Sequence, residues 1–257
     1  MSEFEAVSDQ AARYGDLDAR LRLEIPFFAR LLRENGARNV CDAGCGEGRH
    51  TIALARGGEF ALTGLEPRAE AVEAARRNAA LAGASVDFFA GFFSDMPALP
   101  GAPFDAALAL GACLSLVEDW PVLEKSAADI AGALRPGGVF VGQIPNYGAM
   151  LADPAKRWKG LSVNDPPPGK PGPLLCMKHF APWGERYFAV EFLSIQPDGK
   201  GGWISDVRHA RQLALTRARI EGLLAPWFAV ERAFGHADGR DFDPSESPDL
   251  IFVARRK

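Results

Sequence analysis

Eleven consecutive residues constrain this chain more than any others: Val40-Cys41-Asp42-Ala43-Gly44-Cys45-Gly46-Glu47-Gly48-Arg49-His50. A short apolar run ends in an acid, three glycines alternate, and a helical pattern begins. A helix N-terminus presents unpaired N–H groups, and glycines let a ligand come close to the backbone. A strand, turn and helix in this order place a nucleotide or nucleoside at the carboxyl ends of a parallel sheet. The dinucleotide fingerprint Gly-x-Gly-x-x-Gly fails because Arg49 holds its third glycine position. A phosphate-binding P-loop is also missing. What remains is Asp-x-Gly-x-Gly-x-Gly at 42, 44, 46 and 48. Taken alone, the cluster can also be a tight strand-to-helix turn.

The surrounding pattern supports an α/β reading. Residues 20–34 space apolar positions at helical intervals. Strands are expected at 39–43, 60–66, 85–90, 104–110 and 139–144, with helices at 48–57, 67–83 and 119–134 between them. Pro67 opens the second of these helices, Gly83 closes it, and Glu73 faces Arg77 one turn on. Arg135-Pro136-Gly137-Gly138 marks a turn. Strands alternating with helices predict a parallel sheet covered on both faces. The rhythm changes at 145–175, where seven of the nineteen prolines fall, and that stretch reads as a loop or lid. Residues 176–215 read as antiparallel strands with a hairpin turn at Pro197–Gly202. A helix over 216–225, N-capped by Thr216, and strands at 228–234 and 250–254 complete the chain.

Composition narrows the function. The chain has 257 residues, 47% of them apolar and 24% charged, as in an ordinary globular protein. Its net charge of −4 lacks the basic footprint of a nucleic-acid binder. No apolar run is long enough for a membrane span, and the acidic start does not read as a secretory signal. Cys41, Cys45, Cys113 and Cys176 make no disulfide framework. Cys41 and Cys45 have no second Cys pair and no His-x3–5-His beside them, so they read as reduced thiols rather than a metal site. A cytoplasmic location is expected.

Asp42-x-Gly44-x-Gly46-x-Gly48 resembles motif I of the class I S-adenosylmethionine-dependent methyltransferases. Glu66, twenty residues after Gly46, ends the second strand. A carboxylate there can accept both ribose hydroxyls, or cap the following helix. The Leu134–Gly138 turn and the final helix, strand, loop and strand are similar to the same superfamily over residues 14–144 and 214–255. The resemblance implies a Rossmann-like, mostly parallel seven-stranded sheet with an antiparallel last strand. The antiparallel strands read from 176–215 would then be a small insertion between strands five and six. The cofactor domain would comprise 1–144 and 214–257, and a lid or substrate insertion 145–213. S-adenosylmethionine would be the cofactor and S-adenosylhomocysteine the product, with a small-molecule acceptor.

Further likeness points to the glycine/sarcosine N-methyltransferase-like branch. It lies in Tyr14-Gly15, Arg22, Glu24-Ile25-Pro26-Phe27, Gly48-Arg49-His50, Leu110–Ser115 and Pro145-Asn146-Tyr147. By that resemblance the cofactor site comprises Tyr14, Arg22, Asp42, Ala43, Gly44, Cys45, Gly46, Glu66, Pro67, Phe92, Phe93, Leu110 and Gly111. Arg22 would hold the cofactor carboxylate, or it is a surface residue of an amphipathic helix. Phe92 or Phe93 would pack on the adenine face, or belong to the core. Ala112 replaces an Asn common in that branch, and Ile144-Pro145 replace a more polar pair, which weighs against glycine as acceptor. Methyl transfer needs alignment and water exclusion above all, and a base only for a hydroxyl, thiol or ammonium acceptor. Candidate bases are His179, Tyr187, Asp206 and His209. The function expected is N- or O-methylation of a small molecule. The alternative is a non-catalytic module that binds the cofactor.

Overall fold

The computed structural model describes residues 17–164 and 172–257. The chain opens with α1 (Leu17–Glu34) and then alternates β1 (Asn39–Ala43), α2 (Arg49–Ala55), β2 (Ala61–Glu66), α3 (Ala69–Ala82) and β3 (Asp87–Ala90). Next come β4 (Phe104–Ala109), α4 (Trp120–Ala133), β5 (Leu134–Pro145) and α5 (Tyr147–Ala152). Four long strands follow: β6 (Trp158–Asn164), β7 (Leu174–Trp183), β8 (Tyr187–Pro197) and β9 (Trp203–Leu213). The chain ends with α6 (Arg217–Leu224), β10 (Phe228–Phe234) and β11 (Asp249–Arg256).

It divides into two compact units. One comprises Leu23–Asn146 with Leu215–Lys257; the other comprises the described residues of 147–214 with 17–22. The first holds a seven-stranded sheet in the order β10-β11-β5-β4-β1-β2-β3. Strands β3, β2, β1, β4 and β5 are parallel, and β11 runs antiparallel to both β5 and β10. This is the expected Rossmann-like sheet with its antiparallel last strand. One core gathers Phe27, Phe28 and Leu31 of α1 against Val40, Leu108, Val141 and Ile251 of the sheet. Period-2 alternation along each strand brings these residues to one face.

Several local expectations hold. Gly83 closes α3 at φ +62°, and Thr216 caps α6 by accepting from the Arg219 N–H. Asp198 holds the β8–β9 turn by accepting from the Lys200 and Gly202 N–H groups. Others are corrected. Arg68, not Pro67, stands at the N-cap of α3, and Glu73 bonds Arg76, not Arg77. The Arg135–Gly138 turn lies inside β5, where Gly137 takes φ +74° and the pairing with β4 slips between Phe104 and Ala106. The stretch 145–175 is not simply a loop, because it contains α5 and β6.

The second unit is a four-stranded antiparallel sheet in the order β6-β7-β8-β9. On its inner face Tyr147, fully buried, stacks on Phe188 at 5.6 Å between ring centroids, and Phe180 meets both rings edge-on. The Tyr147 hydroxyl donates to Gln212 Oε1 at 2.7 Å. No helix among the described residues is long and apolar enough to cross a membrane.

Candidate functional site

The loop from β1 to α2 is built on left-handed glycines: Gly44 at φ +82°, Gly46 at +57° and Gly48 at +80°. The Gly44 and Cys45 N–H groups donate to Leu65 O at 2.7 and 3.1 Å, which pins the turn to β2. A Cβ on Gly44 would lie 2.7 Å from Cys113 Cβ, and one on Gly48 would lie 2.8 Å from Phe88 Cζ. A Cβ on Gly46 would meet nothing within 4 Å. Two of the glycines therefore serve packing, while the middle one keeps a clear approach to the backbone. Asp42 is buried and accepts from Thr51 Oγ1 at 2.6 Å, so it anchors the first turn of α2 to the end of β1. Burial pushes the Asp42 carboxyl up from its usual range; the Thr51 hydrogen bond and His50 oppose that shift.

Glu66 ends β2, with 5% of its surface exposed. One oxygen accepts from the Gly46 N–H at 3.1 Å. The other accepts from Arg68 Nε at 2.8 Å and more weakly from the Arg68 N–H at 3.3 Å. The carboxylate thus ties the glycine loop to the start of α3. A carboxylate offers about four acceptor directions, so capacity remains for a hydroxyl. Arg68, which holds the second oxygen, has 46% of its side chain exposed. A glycine with open space before it and a buried carboxylate bonded to that same glycine fit the ribose end of a nucleoside cofactor. Beyond β3, Asp95 accepts from the Phe92 N–H at 2.8 Å, and the Phe92 ring stands 67% exposed. Of its two expected roles, membership of the core does not apply; Phe93 is half-buried. Pro67 is exposed, Ala43 and Leu110 are buried, and Gly111 turns the chain after β4 at φ +71°.

The thiols around this loop are set against ionisation. Burial pushes Cys41 and Cys45 far above the usual range, helped by Asp42, with Glu66 adding to the shift at Cys45. Burial raises Cys113 to about 12, again with Asp42 contributing. All four cysteines are thiols, and the described residues contain no cluster of three or more metal-ligating side chains.

A buried polar row beside the loop was not anticipated. Glu24 of α1, 3% exposed, accepts from Gln143 Nε2 at 2.8 Å and bonds His50 Nε2 at 2.8 Å. Gln143 also donates to Asp249 at 3.1 Å. Among the described residues two buried side-chain polar atoms lack a partner, Gln143 Oε1 and Ser115 Oγ. The sequence did carry a signal for Gln143 and Asp249: each is a polar residue beside an apolar run, Val139–Gly142 and Leu250–Ala254.

The remaining expected residues scatter. Tyr14 lies outside the described residues, and Arg22 is exposed on α1. Asn146 donates to Pro244 O and Ser247 O, holding the loop before β11. His179, Tyr187, Asp206 and His209 belong to the second unit. His179 stacks on Trp158 and bonds Glu191 at 2.8 Å; Tyr187 lies under the Arg211 guanidinium; His209 is exposed.

A seven-stranded sheet with a reversed last strand, a Gly-rich turn after β1 and a buried acid after β2 make up the fold expected from the resemblance to class I S-adenosylmethionine-dependent methyltransferases. Comparison with known proteins gives a partial domain match and a shared fold. The methyltransferase-domain family matches residues 40–138. A glycine/sarcosine N-methyltransferase from Parasynechococcus marenigrum (strain WH8102) is 28% identical over 147 residues, 57% of this chain and 52% of that protein. The chain thus spans about half the length of that curated relative. Among solved structures, an S-adenosylmethionine-dependent methyltransferase from Clostridium acetobutylicum ATCC 824 aligns with a TM-score of 0.75 at 13% identity, over 97% of both chains. Streptomyces venezuelae DesVI aligns with a TM-score of 0.73 at 22% identity, over 100% of both. CalS10, an amino pentose methyltransferase from Micromonospora echinaspora, aligns with a TM-score of 0.68 at 21% identity, over 93% of this chain and 96% of its own. The chain shares the fold of these S-adenosylmethionine-dependent methyltransferases and carries a methyltransferase-domain match over residues 40–138.

Proposed function

We propose that this chain is an S-adenosylmethionine-dependent methyltransferase that methylates a nitrogen of a small molecule. The observation that carries the cofactor half is the bond between the Gly46 N–H and the buried Glu66 carboxylate, with open space before Gly46. Bound there, S-adenosylmethionine supplies a methyl group already activated on a sulfonium. The chain's own residues then have to orient the cofactor and exclude water. In this reading Gly44, Cys45 and Gly46 present backbone, Glu66 takes the ribose hydroxyls, and the Phe92 ring packs on the base. Leu110 and Gly111 line the methionine end. Nitrogen is favoured over oxygen by the names of similar proteins: a glycine/sarcosine N-methyltransferase and the sugar N-methyltransferase KedS8. A neutral amine needs little base help, so this reading requires no catalytic role for His179, Tyr187, Asp206 or His209. The family match ends at residue 138, so acceptor choice falls to the chain beyond it, above all the insertion 145–213.

Two measurements test this. Calorimetry with S-adenosylhomocysteine, with NAD as control, should give binding that Glu66→Ala weakens by about 1–3 kcal/mol, the usual loss for a charged hydrogen-bond partner. A panel of amino acids, amino sugars, heteroaromatic amines and phenols is then scored for S-adenosylhomocysteine release. Turnover on amines supports the reading. Turnover on phenols alone overturns the choice of nitrogen, and cofactor binding without turnover on any class leaves the binding-module alternative.

A further inference from the structure

Away from the glycine loop, the first unit carries a second concave site. A cavity of about 310 Å³ lies between the start of α4 and the end of α6, and its walls include Trp120, Glu124, Arg219, Gly222, Leu223 and Trp227. None of these belongs to the glycine loop or to the acids around it. The walls are held by backbone. Asp119 caps α4 by accepting from the Val122 N–H at 3.0 Å. The Trp227 N–H donates to Leu224 O, and its carbonyl accepts from the Lys257 N–H, both at 3.0 Å. Leu223 is buried and forms the inner wall. Gly222 stands inside α6, where glycine is a poor helix former. A Cβ there would meet nothing within 4 Å, so packing does not require the glycine. Its missing side chain instead keeps the cavity open.

Three kinds of group converge on this space. Trp120 Nε1 donates to Glu124 Oε1 at 2.8 Å, which sets a carboxylate beside an indole. A carboxylate has about four acceptor directions, so Glu124 can take further donors. Arg219 brings a guanidinium from α6, and its five N–H donors can serve more than one partner. Trp120 and Trp227 add flat apolar rings, and Trp227 is 45% exposed. A lone organic cation would satisfy Glu124 and face Arg219; a lone carboxylate would do the reverse. A molecule with an ammonium, a carboxylate and a flat ring matches all three. The volume is at the small end for small-molecule pockets, which suits one amino acid rather than a nucleotide or a peptide. We propose that this cavity is a second small-molecule site, separate from that of methyl transfer, which takes a free aromatic amino acid. Its ammonium meets Glu124, its carboxylate meets Arg219, and its ring packs on the two indoles.

Calorimetric titration of the full chain with L-phenylalanine tests the proposal. Phenethylamine and 3-phenylpropionate serve as probes that each lack one charge. Wild type should bind phenylalanine more tightly than about 1 mM, and each one-charge probe at least about tenfold more weakly. Glu124→Gln should weaken phenylalanine at least about tenfold. Gly222→Leu fills the opening and should abolish binding while keeping the wild-type circular dichroism. Gly222→Ala should raise the thermal midpoint, because alanine favours the helix, and still weaken phenylalanine. If Gly222→Leu fails to fold, Glu124→Gln and Gly222→Ala decide. No phenylalanine binding tighter than about 1 mM overturns the proposal. So does binding that either Glu124→Gln or a folded Gly222→Leu leaves intact, since the amino acid then lies elsewhere, as at the acceptor site.

Discussion

Replacing Gly46 and Gly48 by alanine, one at a time, separates the two jobs of the glycine loop. Both residues sit at positive φ, +57° and +80°, so each alanine costs about 1–2 kcal/mol of backbone strain. They differ in what the new methyl group meets. At Gly48 it would lie 2.8 Å from Phe88 Cζ and 3.1 Å from Ala75 Cβ, both in the packed layer between α3 and β3. Overpacking of that kind adds about 1–3 kcal/mol, for a total near 2–5 kcal/mol. At Gly46 the methyl meets no protein atom within 4 Å, so stability should fall by the strain alone. The methyl then occupies the space through which a ligand reaches the loop. Binding of S-adenosylhomocysteine should weaken at least about tenfold, or roughly 1.4 kcal/mol. Urea unfolding measures the first quantity and calorimetry the second. The reasoning is refuted if Gly46→Ala binds as wild type does, or if it is destabilised as much as Gly48→Ala.

Three other outcomes follow from the same geometry. Asp105 accepts from the Arg38 and Asn39 N–H groups at 2.8 and 2.9 Å and from Arg135 Nε at 2.6 Å. Burial raises its pKa, but these bonds outweigh burial and hold it below the usual carboxylate range. Its contribution is therefore present above the unfolded value near pH 4 and lost as pH falls through the lower folded value. Asp105→Asn should cost about 1–3 kcal/mol at pH 7 and little near pH 2, read by urea unfolding at both pH values. Thr51→Val leaves the buried Asp42 carboxyl without its hydroxyl donor and should destabilise by about 1–3 kcal/mol, seen as a lowered thermal midpoint. Cys113, raised to about 12, should react with iodoacetamide at pH 8 at least about a hundredfold more slowly in the native protein than in urea, followed by peptide mass spectrometry.

What the sequence disclosed was the local chemistry. The Asp-x-Gly-x-Gly-x-Gly run, the carboxylate at 66, the Gly83 stop and the Thr216 cap depend on neighbours within a few residues, or on the strand–helix rhythm. What it concealed depended on distance or on mixed signals. The seven prolines of 145–175 made that stretch read as a loop, yet they stand at 145, 154 and 166–173. That leaves 146–153 and 155–165 free to form α5 and β6. The β6 register shift between Lys159 and Ser162 erases the period-2 pattern that would have marked a strand. The bonds from Gln143 to Glu24 and to Asp249 span 119 and 106 residues, and no local spacing encodes them.

The polar row nonetheless has a simple origin in strand periodicity. Val40, Leu108, Val141 and Ile251 share one core because alternate residues of parallel neighbours face the same way. Two positions toward the carboxyl rim, or back toward the start of the antiparallel strand, the same faces present Asp42, Leu110, Gln143 and Asp249. Polar residues there lie under the same layer as the apolar ones, so each requires a partner. Thr51 meets Asp42, while Gln143 bridges Glu24 and Asp249, and His50 meets Glu24. Both partners drawn from α2, His50 and Thr51, stand in its first turn, directly after Gly48. The turn that opens α2 is therefore tied at two points to residues outside the glycine loop, one on β1 and one on α1. Glycine supplies the loop's permitted shape, and the buried carboxylates Asp42 and Glu24 fix where that shape sits.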